Sequence, residues 1–371
     1  MKYNFVKKLD RYCNLYIKNL PKKKVVQKKI DRILVIKLSA MGDAICLMPS
    51  LRILSKQLNI KVDWLTTKKC NPELFKSAPF LGNVYSLRAN PFSLILFILK
   101  YRLLIGKYNL VIDFDQYYSV SEIISYFIGE TTSGFLTPLK GKSYSIRYPY
   151  EDKENEKKLF YKLTLNCLKE LENFTPDHKF NYLTPEILNG YLPSDELKSF
   201  LESLPKERKN IVIYPGSGPS ANFRRWPIKN FLEIANKLNE KFNIIICGGP
   251  DEIGLSQYFK EFEFNQINLW SLLDWAYIFR ETKPLFIGND AGMLHLADSQ
   301  GATIYGIFGP NIYEKWGSLN PKSKNISNHK SCRPCIKTYL GIVPKECVLN
   351  NVECLNSISP EQLLREVELD R

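Results

Sequence analysis

The sequence has no apolar run long enough to cross a bilayer, which takes about 20 consecutive apolar residues. Its most hydrophobic stretch, Phe92–Leu99, is followed at once by Lys100, Tyr101 and Arg102. We expect this stretch to form a buried or interfacial helix. The start, Met1–Arg32, also lacks the apolar core and small-residue cleavage site of a secretory signal. We therefore expect no export and a cytoplasmic location.

Acidic residues are in deficit: 38 Asp and Glu face 52 Lys and Arg, for a formal net charge of +14. Such a balance attracts nucleic acid, an acidic membrane face or phosphorylated substrates. No RNA-binding signature interleaves the cations with aromatic residues, so we expect no nucleic-acid partner. Part of the excess lies in the segment 1–31, at Lys7, Lys8, Arg11, Lys18, Lys22, Lys23, Lys24, Lys28 and Lys29. We interpret this segment as a possible contact with an anionic membrane surface.

Low-complexity tracts and repeats of solenoid period are also lacking, while 44% of the residues are hydrophobic and 24% are charged. This is the balance of a folded protein, and 371 residues suit two domains. From Arg32 onward, short β-branched runs alternate with helical stretches, as a parallel sheet covered by helices requires. The expected strands are Ile33–Ile36, Val62–Leu65, Asn83–Leu87, Leu110–Phe114 and Ser133–Leu136, then Ile211–Tyr214, Ile244–Cys247, Ile267–Leu269, Leu285–Ile287 and Thr303–Phe308.

Two such units in tandem predict an α/β protein with paired Rossmann-like domains. The charged, proline-containing stretch Pro149–Pro205 is interpreted as helical connection and linker. The predicted division is a basic segment 1–31, a first domain with linker 32–190, and a second domain 191–371.

The loop Lys37-Leu-Ser-Ala-Met-Gly-Asp43 follows the first expected strand, at the sheet edge where open α/β folds bind ligands. Gly42 permits a tight turn or the close approach of a substrate. Asp43 would begin the next helix, where it could be an N-cap or a catalytic base. The spacing does not separate the two. A G-x-G-x-x-G signature is absent, which disfavours an NAD-dependent dehydrogenase.

A second loop, Tyr214–Pro227, begins with glycines and hydroxyls and continues with Arg224 and Arg225. Small residues free backbone N–H groups, and Arg supplies forked donors for phosphate. We favour an anion site, with Ser217, Gly218 and Arg224 as ligands, over a flexible surface loop.

A third turn, Gly288–His295, again joins a strand to a helix. Asp290, Ala291 and Gly292 lie where a diphosphate would meet the helix N-terminus. His295 is about one turn further on and on the same side as Ala291. We favour a functional role for this histidine, although a lone His is most often structural.

Two further groups stay open. Asp251 and Glu252 follow another strand and could bind a ribose or base, or cap a helix. Cys332, Cys335, Cys347 and Cys354 are expected to be structural, as zinc ligands, disulfides or free thiols. No metal is assigned, and no Cys–His pairing indicates an activated thiolate.

Three motifs occur together in this order: Arg32-Ile-Leu-Val-Ile-Lys-Leu-Ser-Ala-Met-Gly-Asp43, Pro215-Gly-Ser through Arg225-Trp-Pro227, and Asn289-Asp-Ala-Gly-Met-Leu-His295. Together they resemble the bacterial lipopolysaccharide heptosyltransferases, glycosyltransferase family 9, over roughly Arg32–Leu364. The resemblance implies a GT-B fold, with two Rossmann-like domains facing a central cleft, and a metal-independent, inverting transfer without a cofactor.

Carried over, Asp43 becomes the general base for the acceptor hydroxyl. Arg224, where the family often has Lys, would neutralise the departing diphosphate with the N–H groups near Ala291 and Gly292 and the side chain of His295. Many members have Thr in place of Ala291, so one hydroxyl contact would be missing. Acceptor contacts are expected from Ser39, Met41, Gly42, Asp113 and Gln116.

The resemblance implies a nucleotide-sugar donor, ADP-heptose or another, and a glycolipid acceptor of the lipopolysaccharide core. We expect a monomer at the inner face of the cytoplasmic membrane. The alternatives are another GT-B-like enzyme such as a nucleotide-sugar epimerase, and a non-catalytic nucleotide-sugar-binding protein.

Overall fold

The computed structural model describes residues 10, 12–87, 91–172, 180–218 and 222–369. The basic residues Lys7, Lys8 and Arg11 lie outside this part of the chain, as does the middle of the second loop, residues 219–221. The chain forms two compact units. The first comprises Met1–Asn181 and Lys337–Ile342, and the second comprises Tyr182–Ile336 and Val343–Arg371.

The first unit is a six-stranded sheet whose paired strands all run parallel, in the order β3-β2-β1-β4-β5-β6. The strands are β1 Ile33–Ile36, β2 Val62–Thr66, β3 Leu81–Ser86, β4 Tyr108–Asp113, β5 Gly129–Leu136 and β6 Ile146–Pro149. The α-helices are α1 Met41–Leu58, α2 Pro91–Leu99, α3 Ser119–Ile128 and α4 Glu156–Glu170. A π-helical stretch, Lys100–Ile105, continues α2, and short 3₁₀ turns cover Lys68–Cys70 and Pro72–Phe75. Residues 12–17 are also helical.

The second unit repeats this plan in the order β12-β11-β10-β7-β8-β9. Its strands are β7 Asn210–Tyr214, β8 Asn243–Ile246, β9 Phe264–Asn265, β10 Leu285–Asn289, β11 Thr303–Ile307 and β12 Lys324–Ile326. Its helices are α5 Asp195–Ser203, α6 Ile228–Asn239, α7 Leu272–Thr282, α8 Gly292–Ser299, α9 Tyr313–Trp316, α10 Glu353–Asn356 and α11 Pro360–Leu369. Its 3₁₀ segments are Pro185–Leu188, Asn222–Arg224 and Pro250–Phe259, whereas the 3₁₀ turn Thr338–Leu340 belongs to the first unit.

The central strands are mostly apolar because helices cover both faces of a parallel sheet, and β1 is apolar along its whole length. All four residues of β1 and of β8 are buried. The adjoining helices are amphipathic, as in α6, which buries Phe231, Ile234 and Ala235 against the sheet of the second unit. This burial explains why continuous β-branched runs, not alternating ones, marked the strands in the sequence.

The expected α/β class and Rossmann-like units are confirmed, since both sheets have the doubly wound strand order. Most of the expected strands are present within a few residues. The strand expected at Ile267–Leu269 is wrong, because the chain pairs with β8 earlier, at Phe264–Asn265. The short edge strands β6 and β12 were not expected. Part of the stretch interpreted as linker is α4, which belongs to the first unit.

Strands are added to the sheet in one direction up to a switch point and in the opposite direction after it. This switch point lies between β1 and β4 in the first unit, and between β7 and β10 in the second. Loops leaving two adjacent strands at such a point diverge and leave room for a ligand. Each unit therefore has one favoured ligand position, at the carboxyl ends of these strands. No helix in the described part of the chain is long and apolar enough to cross a membrane.

Gly134→Ala should destabilise the first unit. A Cβ at Gly134 would lie 2.4 Å from the ring of Tyr144, which is fully buried and donates to Asp113. We expect the free energy of unfolding in urea to fall by about 1–3 kcal/mol. Gly254→Ala is the control, since its Cβ would meet nothing within 4 Å. Equal stability of the two variants would contradict the packing described.

Candidate active site

A buried lysine lies at the centre of the polar cluster in the first unit. Lys37 directly follows β1 and is 1% exposed. Its Nζ lies 2.9 Å from Asp43 Oδ1 and 3.2 Å from Asp115 Oδ1, and it donates to Gln116 Oε1 at 3.1 Å. One ammonium group thus holds together the loops that leave β1 and β4.

Burial affects the pKa of both Lys37 and Asp115. Burial lowers the pKa of Lys37, but the attraction of Asp43 and Asp115 outweighs it, so its pKa lies above its ordinary value. Burial raises the pKa of Asp115, with Lys37 opposing that effect. Asp115 is further fixed by the N–H of Leu38, which donates to Oδ2 at 2.8 Å.

Asp43 is not the cap of α1. The N-cap position is Ala40, which offers no side-chain hydrogen bond, and Asp43 lies in the first turn. Its carboxylate faces Lys37 and keeps 17% of its side-chain surface exposed. The geometry excludes the N-cap role. Asp43 is a partly accessible carboxylate held by a buried cation.

The neighbouring loop residues differ in exposure. Ser39 and Met41 are partly exposed, and Gly42 is buried. Tyr118 hydrogen-bonds with Ser39, and Met41 Sδ accepts from Asn71 at 3.2 Å. Ser39 and Met41 are therefore partly accessible on the segment that leads to Asp43.

Asp113 lies beneath this cluster. It is fully buried, and its Oδ2 accepts from Lys140 Nζ at 2.6 Å and from Tyr144 at 2.5 Å. Its Oδ1 accepts from the N–H of Asp115 at 2.9 Å. The expected contact between Asp113 and an acceptor is corrected by this burial: the residue supports the loop that carries Asp115 and Gln116.

Gln116 links the cluster to the returning segment Lys337–Ile342, which is part of the first unit. Its Nε2 donates to Thr338 Oγ1 at 3.4 Å. In the same segment, Tyr339 packs against Tyr150 with ring centroids 5.4 Å apart and donates to Asp152 at 3.0 Å. Gln116 itself is 3% exposed, so it arranges its neighbours more than it presents a surface.

In the second unit, Asn289 at the end of β10 organises the loop after β7. Its amide nitrogen donates to the carbonyls of Pro215 at 3.1 Å and Gly216 at 2.9 Å. Its oxygen accepts from the N–H of Trp226 at 2.9 Å. One fully buried side chain therefore fixes both ends of the loop that carries Arg224.

Arg224 lies beside Asp290, with Nη1 3.8 Å from Oδ2 and 24% of its side chain exposed. Within the described residues, Arg224 Nε has no hydrogen-bond partner. Asp290 is 5% exposed and also accepts from Asn311. A buried, paired carboxylate would repel a diphosphate, so the geometry favours Asp290 as a support for Arg224 over a direct ligand.

The start of α8 lies next to this pair. Ala291 is the N-cap and supplies no side-chain hydrogen bond, and the helix begins at Gly292. Its first N–H groups therefore have no side-chain cap and carry the positive end of the helix dipole. His295, 4% exposed, packs edge-on against Trp316 with ring centroids 5.9 Å apart.

Arg225 and Glu252 form a second, more buried pair. Arg225 Nη2 lies 3.6 Å from Glu252 Oε1, and its Nε donates to Ser217 Oγ at 3.2 Å. Glu252 also accepts from Tyr214 at 3.3 Å and from the N–H of Gly249 at 3.1 Å. Of the two roles considered for Glu252, the structure has it as a cap.

Three other expected ligands in this region differ in placement. Asp251 is exposed and remains available to a ligand. Ser217 is buried beside Arg225, whereas Gly218 has a positive φ of 77° and open space where a Cβ would be.

The four C-terminal cysteines come together in the second unit. Cys332, Cys335, Cys347 and Cys354 line one cavity with Phe223 and Pro310. All four are free thiols. Among the described residues, no three His, Cys, Asp or Glu side chains are arranged to hold a metal ion. The four cysteines therefore lie beside Phe223, the residue before Arg224.

Sequence reasoning missed Lys37, Lys140 and Thr338. A lysine directly after the apolar run Ile33–Ile36 was a visible signal, because a charge at a buried strand end requires a partner. No such signal marked Thr338, whose approach to Gln116 depends on the chain returning from the second unit.

The chain matches known proteins of one family. A model of glycosyltransferase family 9 (heptosyltransferase) matches residues 101–340. A lipopolysaccharide heptosyltransferase 1 of Campylobacter coli is 25% identical over 91% of this chain and 98% of its own length. A lipooligosaccharide heptosyltransferase 2 of Campylobacter jejuni is 26% identical over 44% of this chain, and the match spans about half of that relative, 52%.

Solved structures show the same fold. An E. coli ADP-heptose lipopolysaccharide heptosyltransferase II has a TM-score of 0.65 at 16% identity, over 91% of this chain and 98% of its own. The E. coli heptosyltransferase WaaC with ADP-2-deoxy-2-fluoro heptose has a TM-score of 0.63 at 15% identity, over 92% of this chain and 100% of its own. With two doubly wound units and a family model that matches well over half its length, this chain belongs to glycosyltransferase family 9, the heptosyltransferase family.

Proposed function

We propose that this chain is a metal-independent, inverting heptosyltransferase that moves heptose from ADP-heptose to a lipopolysaccharide-core or related glycolipid acceptor. The observation that carries the proposal is the Lys37–Asp43 pair at 2.9 Å, at the favoured ligand position of a family 9 chain. The names of the full-length relatives support the sugar and the acceptor.

Asp43 is the proposed general base. A partly exposed carboxylate can accept the proton of an acceptor hydroxyl. The hydroxyl oxygen then attacks the anomeric carbon while the bond to the diphosphate breaks, and the diphosphate takes the electron pair. Attack opposite to the leaving group inverts the anomeric configuration. Lys37 is a positioning residue that holds Oδ1 of Asp43 in place.

Arg224 and the start of α8 are the proposed diphosphate site. The developing negative charge needs fixed donors, and Arg224 Nε has no partner among the described residues. The uncapped N–H groups of α8 and the dipole of that helix add to this site. Gly218, Asp251 and His295 remain proposed donor contacts, and Ser39 and Met41 proposed acceptor contacts.

A lipid-anchored acceptor implies work at a membrane. We propose a monomer that binds peripherally to the inner face of the cytoplasmic membrane, with its cationic surface attracted to anionic lipid. No nucleic-acid partner and no cofactor are part of this proposal.

The function is tested by incubating the purified chain with ADP-heptose and a lipopolysaccharide-core acceptor, with and without EDTA. We expect ADP release, an acceptor mass raised by one heptose, and inverted anomeric configuration by NMR. Asp43→Asn should lower kcat about 100- to 10,000-fold with ADP binding unchanged, while the exposed control Asp31→Asn keeps full activity. Full turnover in Asp43→Asn, or an epimerised free nucleotide sugar without acceptor, would defeat the proposal.

Arg224→Met should weaken the binding of ADP. Hydrogen bonds to charged groups contribute about 1.5–3 kcal/mol, so we expect a Kd about 10- to 150-fold higher by calorimetry. Arg208→Met removes an equal charge from an exposed position of the same unit, where Arg208 donates to Asn239 O, and should leave ADP binding unchanged. Equal effects of the two substitutions would assign the loss to net charge.

Lys37→Met should impair both folding and catalysis. Removing one partner of a buried ion pair costs about 3–5 kcal/mol, because Asp115 is left charged and desolvated. We expect that loss in urea unfolding, with a lower kcat and little change in KM. Lys37→Met/Asp115→Asn should recover part of the stability without restoring kcat. Restored turnover in the double variant would show that Lys37 does not position Asp43.

A further inference from the structure

Seven exposed large hydrophobic side chains of the described residues lie on the helix α2 and its π-helical continuation. We call residues 91–105 the apolar ridge. Its exposed side chains, with their exposed fractions, are Phe92 70%, Ile95 53%, Leu96 49%, Leu99 44%, Leu103 70%, Leu104 82% and Ile105 45%. Contiguous exposure of this kind marks an interaction surface.

The ridge is firmly attached on its inner side. Phe97 and Tyr101 are buried and pack with Tyr85 and Tyr108, with ring centroids 4.7 to 5.7 Å apart. Arg32 donates to the carbonyls of Ile105, Gly106 and Lys107 at the end of the ridge. The outward aliphatic side chains are therefore presented by a fixed element.

The charges carried by the ridge itself and the two residues after it are of one sign. Residues 91–107 contain Lys100, Arg102 and Lys107 and no acidic residue, and all three cations are exposed. Lys23, from the basic N-terminal segment, lies near Lys107. Burial and then repulsion by Lys107 lower the pKa of Lys23 to about 8. The carboxylate of Glu130, also near Lys107, is paired with Lys28.

We propose that the apolar ridge is the membrane-docking surface of this protein, with its aliphatic side chains in the headgroup boundary and its cations among anionic headgroups. An apolar face flanked by Lys and Arg is the arrangement of interfacial helices, and long basic side chains can reach the headgroups from it. The choice of a lipid surface rests on the proposed function, which places the acceptor in a membrane.

A second copy of this chain fits the ridge less well. A two-fold interface brings the same patch onto itself, so Lys100 and Arg102 would face the cations of the other copy. Like charges across an interface are costly. An anionic lipid surface meets the same cations with opposite charge, and it accepts the apolar side chains without a matching pocket.

The test is flotation of the full chain with phosphatidylglycerol/phosphatidylethanolamine vesicles and with phosphatidylcholine vesicles. We expect binding to the anionic vesicles. It should be reduced about tenfold or more in Leu103→Ser/Leu104→Ser, which removes two exposed leucines that would enter the bilayer boundary. Leu192→Ser is the control, because Leu192 is 87% exposed in the second unit. Binding of Leu103→Ser/Leu104→Ser equal to wild type would overturn the proposal.

Two charge-removing double variants distinguish binding through the ridge from attraction by the net charge of the chain. Lys100→Gln/Arg102→Gln should weaken binding about fivefold per cation at low salt. Lys206→Gln/Lys209→Gln removes the same charge from exposed positions of the second unit and should have a smaller effect. Equal losses would show that net charge alone binds the vesicles, and the ridge would not be the docking surface.

Two further readouts complete the test. If light scattering shows that Leu103→Ser/Leu104→Ser turns a dimer into a monomer without changing flotation, the ridge joins copies of the chain and the proposal fails. Transfer to a deacylated, water-soluble acceptor should be the same in this variant and in wild type. Flotation without transfer to any acceptor would instead defeat the proposed function and leave the docking surface standing.

Discussion

The arrangement of the polar cluster in the first unit depends on one buried ammonium group. Lys37 sits at the end of a strand with no exposed residue, where an isolated charge would be too costly to bury. The chain meets this cost with two carboxylates and one amide, from the loops after β1 and β4. Each of these groups must therefore stay where Lys37 needs it. The constraint that permits the charge to be buried is the same one that fixes Asp43 at the ligand position.

A second buried lysine–carboxylate pair, Lys140 with Asp113, supports this cluster. Lys140 compensates Asp113 and also donates to the carbonyls of Asp115 and Tyr118, so the loop after β4 is tied by its backbone as well as its side chains. The second unit achieves a similar rigidity without charge, because Asn289 uses its amide to hold both ends of the loop after β7. The first unit presents a carboxylate in the first turn of α1, and the second presents a guanidinium in the segment between β7 and α6.

How much the sequence could predict depends on how far apart in the sequence the interacting residues lie. Strands such as β1 and β8 were predictable because burial on both faces leaves a continuous apolar run. Asp43 and Arg224 could be selected as candidate site residues because they follow such runs in segments of recognisable composition. The roles of Asp113, Glu252 and Asp290 were not, since a buried carboxylate and an exposed one look alike in sequence. Their partners, Lys140, Arg225 and Asn311, are 27, 27 and 21 residues away.

The edge strands were not correctly predicted, for a related reason. The two-residue strand β9 and the short β6 and β12 have little apolar signal of their own and exist because a neighbouring strand offers free backbone groups. The apolar ridge had a strong apolar signal, unlike the edge strands. Hydrophobicity alone, however, is compatible with burial or exposure. The deciding information is that Phe97 and Tyr101 already fill the space against Tyr85 and Tyr108. A helix with two apolar sides and one core to pack against must leave the other side for a different apolar or interfacial environment.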